Sequence, residues 1–253
     1  MFRPRIIPVL LLKENVLVKS IQFKNHKYIG DPINAVKIFN DLNADEIVFL
    51  DISASQNKRN ISLDFVHQVG EEANMPFAVG GGIKTLKDIQ DIIAAGAEKI
   101  IINSSAAQNP DFIKEASKTF GSSTIVICID VKKSLFKKNK HYINNGKTST
   151  KYTPLEFAKL MEKNGAGEII IQSIDKDGLM TGYDLELIES ISKGVSIPVT
   201  ALGGAGEIED LEKCYKEAYA TGLAAGSLFV YQSKRRGVLI NYPEKEIINK
   251  IFK

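Results

Sequence analysis

The sequence predicts an α/β fold, a (βα)8 TIM barrel in which eight parallel strands alternate with helices and close on themselves. Three observations lead to this fold. The chain has 253 residues, a usual length for one barrel domain. It contains eight short apolar runs, most of them rich in Ile and Val. Amphipathic segments with helical periodicity separate these runs, so strand and helix alternate along the chain.

The eight strand-like runs are mostly apolar at consecutive positions rather than at alternate ones. That pattern is typical of parallel strands buried on both faces, and eight is the number that closes a barrel. The runs are Arg5–Leu12, Glu46–Asp51, Phe77–Gly80, Lys99–Asn103, Thr124–Asp130, Glu168–Ser173, Ile197–Leu202 and Thr221–Ser227.

Seven amphipathic segments are predicted to be helices: Asp31–Leu42, Leu63–Ala73, Thr85–Ala95, Asn109–Phe120, Thr153–Asn164, Leu185–Ser192 and Glu207–Ala218. Several open with a residue or pair that favours a helix N-terminus: Asp31-Pro32, Thr85, Asn109-Pro110 and Thr153-Pro154. Together the elements predict a single domain covering residues 1–253.

Two connections are longer than a turn between strand and helix requires. The first is Lys13–Gly30. The second, Val131–Tyr152, contains Asn145-Gly146, a pair that favours a hairpin turn. Both follow strands, on the side where barrel active sites form, so both are candidate lids. For the lysine-rich stretch Lys132–Lys151 the simpler interpretation is a solvated hairpin.

The two halves of the chain resemble each other. Phe77–Ile83 matches Val199–Ala205, and Ile101–Ser105 matches the stretch around Ala224–Ser227. A tandem duplication of half-barrels explains this period. Glycines at a strand end let backbone amides approach an anion, and a following helix N-terminus favours it. We therefore expect two phosphate stations for a phosphorylated small molecule, formed by Gly81, Gly82, Asn103 and Ser104 in one half and by Gly203, Gly204, Gly226 and Ser227 in the other, with Asp177 and Gly178 beside the second.

Composition and motifs limit the partners, metals and cofactors that the chain is expected to bind. A net charge of +3 is too small to argue for a nucleic-acid or membrane partner. The two cysteines lie outside any zinc-type spacing, so no metal is expected. The chain has no nucleotide-binding fingerprint, and no cofactor is expected. It shows neither a signal-peptide pattern from Met1 onward nor an apolar run long enough to span a bilayer, so the expected location is cytoplasmic.

Several motifs together resemble one family, the cyclase subunit of imidazole glycerol phosphate synthase. The resemblance runs from about residue 3 to residue 231 and is carried by Arg5-Ile-Ile, Gly30-Asp-Pro32, Phe49–Ser55, Val79–Ile83, Phe120-Gly-Ser122, Gly165–Ile169, Ser173–Gly178, Gly182-Tyr-Asp184 and Gly203–Gly206. It implies a barrel that receives ammonia from a glutaminase subunit in a heterodimer. It also implies cleavage of a bisphosphorylated substrate and closure of an imidazole ring, a lyase activity in histidine biosynthesis.

The resemblance carries over unevenly to the catalytic residues. The family uses two aspartates, at the ends of the first and fifth strands. Asp130 stands at the fifth-strand position, but the first-strand position is Leu11. Leucine cannot transfer a proton, so whether the chain is an enzyme stays open. Gln172, Leu202 and Leu179-Met180 also replace residues that the family has near its site.

The opposite end of the barrel keeps the family's pattern. Arg5, Glu46, Lys99 and Glu168 match a ring of alternating charges that gates an ammonia passage in the family. The alternative is a ring that only closes the floor of the barrel.

Further motifs, including Leu10–Lys13, Tyr28–Asn34 and Gly237–Pro243, are similar to a paralogous branch of the family encoded in surface-polysaccharide loci. That branch implies an N-acetyl-sugar amidotransferase as a further partner and ammonia delivery for acetamidino-sugar formation. Two alternatives stay open: an authentic cyclase of histidine biosynthesis, and a non-catalytic scaffold that activates the glutaminase.

Four more residues are candidates for the pocket. Asp51, Asp175 and Asp177 follow strands and are expected to face it, or else to cap loops and helix starts. Lys19 could close over an anion, although a solvated lysine is the default. The three histidines, His26, His67 and His141, have no spacing typical of a catalytic triad or a metal site.

Overall fold

The computed structural model describes residues 3–134, 136, 138–232 and 236–252. Its strands are β1 Arg5–Lys13, β2 Val16–Ile21, β3 Lys24–Gly30, β4 Ile47–Asp51, β5 Phe77–Gly80, β6 Lys99–Ile102, β7 Ile125–Lys133, β8 Asn139–Ile143, β9 Thr148–Ser149, β10 Glu168–Ser173, β11 Val199–Leu202, β12 Gly222–Ala225, β13 Tyr231–Gln232 and β14 Gly237–Val238. Its α-helices are α1 Pro32–Asp41, α2 Leu63–Glu72, α3 Leu86–Ala94, α4 Ser104–Gln108, α5 Pro110–Phe120, α6 Pro154–Lys163, α7 Leu185–Ser192, α8 Ile208–Ala218, α9 Ser227–Val230 and α10 Lys245–Ile251.

Eight of these strands form a closed parallel barrel. Their order is β1, β4, β5, β6, β7, β10, β11, β12, and β12 returns to pair with β1. The pairing of β7 with β10 runs over six residues, from Glu168 opposite Val126 to Ser173 opposite Val131. The predicted (βα)8 barrel is confirmed.

Alternation along each strand divides the core into two layers. On β1, Ile6, Leu10 and Leu12 belong to the large cluster that includes the buried faces of the helices. Ile7 and Val9 belong to a smaller cluster, drawn from all eight barrel strands, that fills the barrel interior. Because neighbours in a strand point to opposite faces, Arg5 and Leu11 fall on the inward side with Ile7 and Val9.

Three of the four predicted helix starts have a side-chain cap, whereas Asn109 before α5 forms no side-chain cap hydrogen bond and is followed by Pro110 in the first turn. Asp31 accepts a hydrogen bond from the backbone amide of Asn34, with Pro32 in the first turn of α1. Thr85 and Thr153 each form a reciprocal capping box with the third residue of the helix. These caps satisfy backbone amides that a helix leaves free at its N-terminus.

Both long connections are hairpins on the face where the barrel strands end. Strands β2 and β3 pair antiparallel after β1, which the sequence did not predict. Strands β8 and β9 follow β7, with Asn145-Gly146 in the turn as predicted. His141 anchors this second hairpin because its fully buried ring stacks on Phe157 of α6, with ring centroids 4.3 Å apart. Leu135 and Lys137 of the predicted solvated stretch lie outside the described residues.

The predicted strand Thr221–Ser227 was too long, since β12 ends at Ala225 and Ser227 begins the short helix α9. The short helices α4 and α10 were not predicted either. Glycine and serine end a strand as readily as they continue it, which explains the error at β12. Among the described residues, no helix is long and apolar enough to cross a bilayer.

Candidate active site

A closed ring of four charges lies where the barrel strands begin. The guanidinium of Arg5 on β1 pairs with Glu46, which precedes β4, and with Glu168 on β10 at 2.6 Å. The ammonium of Lys99 on β6 pairs with the same two carboxylates, at 2.9 and 3.0 Å. Each acid therefore contacts both bases. The four residues predicted as a set are brought together.

Burial and charge oppose each other in this ring. Burial disfavours ionisation of Glu168, but Arg5 and Lys99 outweigh it and lower the pKa of that carboxyl. The hydroxyl of Thr200 also donates a hydrogen bond to Glu168, at 2.5 Å. Glu46 and Glu168 are almost fully buried, whereas the side chains of Arg5 and Lys99 are 26% and 21% exposed. Glu168 is thus held as a carboxylate, and the ring is reachable from water on its cationic side.

A cavity of about 500 Å³ opens at the opposite end of the barrel. Between the ring and this cavity lies the apolar interior layer, which includes Ile7, Val48, Ala78, Ile101, Val126, Ile170 and Ala224. The volume of the cavity suits a small-molecule ligand. All ten residues predicted for the phosphate stations line it: Gly81, Gly82, Asn103, Ser104, Asp177, Gly178, Gly203, Gly204, Gly226 and Ser227.

Asp130 on β7 lines the cavity. The carboxyl is buried, and burial is the main cause that raises its pKa to about 7. Hydrogen bonds from Asn103 and Cys128 oppose this shift, while the charge of Asp177 adds to it. A carboxyl that titrates near neutral pH is suited to give or take a proton.

Leu11 lines the same cavity from β1. Strand β1 begins the first half of the duplicated barrel and β7 begins the second half. In this alignment Leu11 on β1 corresponds to Asp130 on β7. Leu50, Ile101 and Leu202 also line the cavity. Leu11 therefore adds an alkyl side chain to a cavity that both apolar and polar side chains line.

The two predicted stations lie where a strand passes into a short helix. Asn103 precedes α4, and Gly226 precedes α9. The amide of Asn103 donates to the backbone carbonyl of Cys128 at 3.1 Å, so part of its hydrogen-bonding capacity is used within the barrel.

Backbone packing accounts for some of the station glycines. A β-carbon on Gly82 would collide with the carbonyl of Arg59, and one on Gly204 would collide with the carbonyl of Gly182. Both residues also have positive φ angles, of 76° and 116°. Close packing therefore requires glycine at these two positions whether or not an anion binds.

Gly226 faces a side chain rather than backbone. A β-carbon there would collide with the ammonium of Lys19. Lys19 on β2 is buried and donates a 2.7 Å hydrogen bond to the carbonyl of Val9. Burial lowers its pKa to about 8, against the opposing charge of Asp177. The default expectation of a solvated lysine was wrong, because the unpredicted hairpin β2–β3 folds its inward face onto the barrel mouth.

The three loop aspartates have different surroundings. Asp51 accepts hydrogen bonds from the backbone amides of Ser53 and Ala54 and pairs with Arg59 at 2.6 Å, so it caps its own loop. Asp177 accepts from the hydroxyl of Ser20 at 2.8 Å and ties β2 to the loop after β10.

Asp175 accepts from the backbone amide of Lys133 at 2.7 Å. The carboxylate therefore binds the end of β7 to the loop after β10. Asp51 and Asp177 line the cavity, and Asp175 does not.

The tip of the second hairpin covers part of the cavity. The amide of Asn145 donates to the carbonyl of Ile52 at 2.8 Å, and the backbone amide of Asn144 donates to the hydroxyl of Ser104 at 3.0 Å. Gly146 approaches Phe23 of the first hairpin so closely that a β-carbon would lie 3.3 Å from its ring. The two predicted lids thus meet above the cavity.

The titratable groups around the cavity do not include a metal cluster. Within residues 3–134, 136, 138–232 and 236–252, no group of three or more His, Cys, Asp or Glu side chains could hold a metal ion. Two of the histidines lie away from the cavity: His67 pairs with Glu71 on an exposed helix face, and His141 is buried under α6. His26 lines the cavity.

Known proteins match this chain over nearly its whole length. The model of the histidine biosynthesis protein family matches residues 5–235. A Leptospira interrogans protein provisionally named imidazole glycerol phosphate synthase subunit HisF is 43% identical over 253 residues, 100% of both chains.

Two further relatives differ in how firmly they are named. A Pseudomonas aeruginosa protein provisionally named imidazole glycerol phosphate synthase subunit hisF2 is 43% identical over 251 residues, 99% of each chain. The imidazole glycerol phosphate synthase subunit HisF of Alkaliphilus metalliredigens is 43% identical over 231 residues, 91% of this chain and 92% of its own length. The identity of the chain to the provisionally named subunits is therefore the same as its identity to a HisF subunit named without that reservation. The chain belongs to the histidine biosynthesis protein family, among the cyclase (HisF) subunits of imidazole glycerol phosphate synthase.

Proposed function

We propose that this barrel receives ammonia from a glutaminase subunit and serves sugar amidation in surface-polysaccharide biosynthesis rather than imidazole ring closure. The observation that carries the proposal is the contrast between the two ends of the barrel. The ring of Arg5, Glu46, Lys99 and Glu168 is complete, and each acid contacts both bases. The cavity at the other end is lined by one aspartate at a position that is catalytic in the family, Asp130, and by an alkyl side chain, Leu11, at the position of the second.

The ring end supports an inlet for ammonia. A buried ion pair adds little net stability compared with apolar packing, because both ions lose their hydration. Four partly buried charges at the strand starts are therefore a weak device for holding the barrel together. Exchange of partners between Arg5 and Lys99 would open a path into the apolar layer, which neutral ammonia crosses more easily than an ion does.

The cavity end supports a bound anion without supporting ring closure. Lys19 supplies a buried ammonium beside Gly226, and each half contributes a strand end that passes into a short helix. These features favour a phosphorylated ligand. Cyclisation needs proton transfer at two positions, and a positioned acid or base typically contributes about 10²–10⁴-fold to a rate. Leu11 contributes none of this.

The sugar-amidation role rests on the resemblance of Leu10–Lys13, Tyr28–Asn34 and Gly237–Pro243 to the paralogous branch. In that role an N-acetyl-sugar amidotransferase consumes the ammonia. The cavity of about 500 Å³ weighs against a scaffold that only activates the glutaminase, since such a scaffold has no need of a preserved ligand site.

The test is an assay of the purified protein with the bisphosphorylated cyclase substrate and an ammonium salt. We expect no ring closure above background, while the same preparation stimulates glutamine hydrolysis by its glutaminase. An Asp-containing cyclase of the family is the positive control. Ring closure within about tenfold of that control would overturn the proposal, since one missing proton carrier should cost more than this.

A further inference from the structure

The hairpin β8–β9 and its approach from β7 carry a concentration of positive charge that the proposed function leaves unexplained. Residues 132–151 contain seven lysines and no aspartate or glutamate. The whole chain carries a net charge of +3, so removal of these seven charges would leave the rest at −4. The positive charge is thus concentrated in one segment of the sequence.

Two of these lysines oppose each other directly. Lys132 on β7 is the cross-strand partner of Lys140 on β8. Opposite residues in an antiparallel pair have β-carbons about 4.5–5.5 Å apart, and like charges there are destabilising. Both side chains are exposed. Among the described residues, no carboxylate lies within ion-pair distance of either ammonium.

Lysines on the outer helices are arranged differently. Lys87, Lys193 and Lys216 each pair with an acid one helical turn away, at 2.8, 2.6 and 2.6 Å. Lys133, the neighbour of Lys132, lies 3.4 Å from Asp184. The opposed pair therefore lacks the acidic partners that these three helix lysines have, and such local conflicts concentrate at functional sites.

The pair stands at the mouth of the cavity. Side chains two residues apart share a face of a strand, so Lys132 follows Asp130 on the same side of β7. Asp130 lines the cavity, and Lys132 is about 7 Å further along the strand, at about 3.3 Å per residue. Beyond the pair, Phe136 exposes 87% of its surface. Aromatic side chains such as Phe are enriched in protein interfaces.

We propose that Lys132, Lys138, Lys140 and Phe136, here called the mouth surface, dock an acidic face of the amidotransferase that consumes the ammonia. This inference rests on the proposed function. Ammonia that leaves the cavity into water is protonated and diluted, so its acceptor must cover the opening. A basic rim on this side and an acidic rim on the partner would steer the two proteins together.

A bound small anion suits this surface less well. Lys19 is buried and has a fixed hydrogen bond, as a site for a phosphate requires. Lys132, Lys138 and Lys140 are exposed, and water would screen their attraction for a single anion. Many exposed charges of one sign act together over a broad protein face, where they chiefly raise the association rate.

The experiment measures affinity of the full chain, in complex with its glutaminase, for the amidotransferase at low and high salt. We expect Lys132→Glu/Lys140→Glu to raise the Kd at least tenfold at about 50 mM salt and much less at about 500 mM, because salt screens exposed charges. The control is Lys114→Glu/Lys118→Glu, which reverses an exposed lysine pair on α5 and should change the Kd less than about twofold.

A second variant separates docking from folding. Lys140→Gln removes the like-charge opposition, so it should raise the midpoint temperature of unfolding while still weakening docking. If Lys132→Glu/Lys140→Glu binds the amidotransferase like the wild type, the mouth surface is not the docking site. The same conclusion follows if the variant loses only binding to phosphatidylglycerol vesicles or to inorganic phosphate.

Failure of the proposed function would look different. In that case the wild-type complex would not bind the amidotransferase and would close the imidazole ring in the cyclase assay. If instead the wild type transfers ammonia and Lys132→Glu/Lys140→Glu transfers it equally well, only the docking role of the mouth surface is overturned.

Discussion

Leu11 and Asp130 occupy corresponding places in the two halves of the barrel and line one cavity. Leu11 precedes the last two residues of β1, and Asp130 lies three residues before the end of β7. The duplicated fold thus offers two equivalent positions for a proton carrier, and the chain fills one of them with a carboxyl and the other with an alkyl group. Asp130 is left as a buried acid that titrates near neutrality without a matching acid opposite.

Restoring the second carboxyl should bring back part of the cyclase chemistry. We expect Leu11→Asp to raise ring closure of the bisphosphorylated substrate at least tenfold above the wild-type background, since one positioned acid or base typically contributes about 10²–10⁴-fold. Leu11→Asn is the matched control, because the Asn side chain has the same shape as the Asp side chain but cannot act as a general acid or base. Equal rates for both variants would show that the other replacements, not Leu11, set the background.

Asp130 should make the protein less stable as the pH rises. Its pKa is about 7 in the folded state and about 3.9 in an unfolded chain. Between these values the folded state binds more protons, so its stability falls with rising pH across that window. The Asn side chain of Asp130→Asn cannot titrate. The free energy of unfolding of this variant, relative to the wild type, should therefore increase by about 1–3 kcal/mol as the pH rises from about 4 to about 8.

Urea unfolding at several pH values measures this difference. The control is Asp41→Asn, an exposed residue at the end of α1, whose effect should be small at each pH. A stability difference for Asp130→Asn that stays constant over that pH range would contradict the raised pKa.

The sequence predicted the barrel from local patterns, whereas the charged ring was expected only from the resemblance to the family. Consecutive apolar residues identify buried parallel strands, and Arg5, Glu46, Lys99 and Glu168 all begin such runs. The burial of Lys19 could not be predicted, because it depends on how β2 and β3 fold back over the mouth. The close approach of Gly82 to the Arg59 carbonyl depends likewise on a contact between separate loops, and a single sequence shows only that a glycine is present.

Lys19 should bind an anion beside Gly226 in a pH-dependent way. With a pKa of about 8, the ammonium loses its charge as the pH rises from about 7 to about 9. Sulfate is a suitable probe because its own charge is constant over this range. We expect its affinity to fall across that range, and Lys19→Met to weaken it at least tenfold at about pH 7, as loss of a buried charge-assisted hydrogen bond implies.

The matched control is Lys27→Met, which changes the exposed cross-strand partner of Lys19. Titration calorimetry at both ends of the pH range gives the affinities of each variant. If Lys27→Met weakens sulfate binding as much as Lys19→Met does, general positive charge rather than the buried ammonium binds the anion.

Substitution of Arg5 tests whether the charged ring is an inlet for ammonia. Arg5→Ala leaves Glu46 and Glu168 with only Lys99, and should lower stability by about 1–3 kcal/mol because the ring is partly exposed. We expect more glutamate to be released per amidated sugar, since ammonia escapes, while the reaction driven by ammonium salt is unchanged. Arg3→Ala is the control: Arg3 pairs with Asp45 at 2.6 Å on the same rim but outside the ring. Should glutamine hydrolysis and sugar amidation stay coupled in Arg5→Ala and also in Lys99→Ala, the ring would be a structural closure of the barrel floor and not a gate.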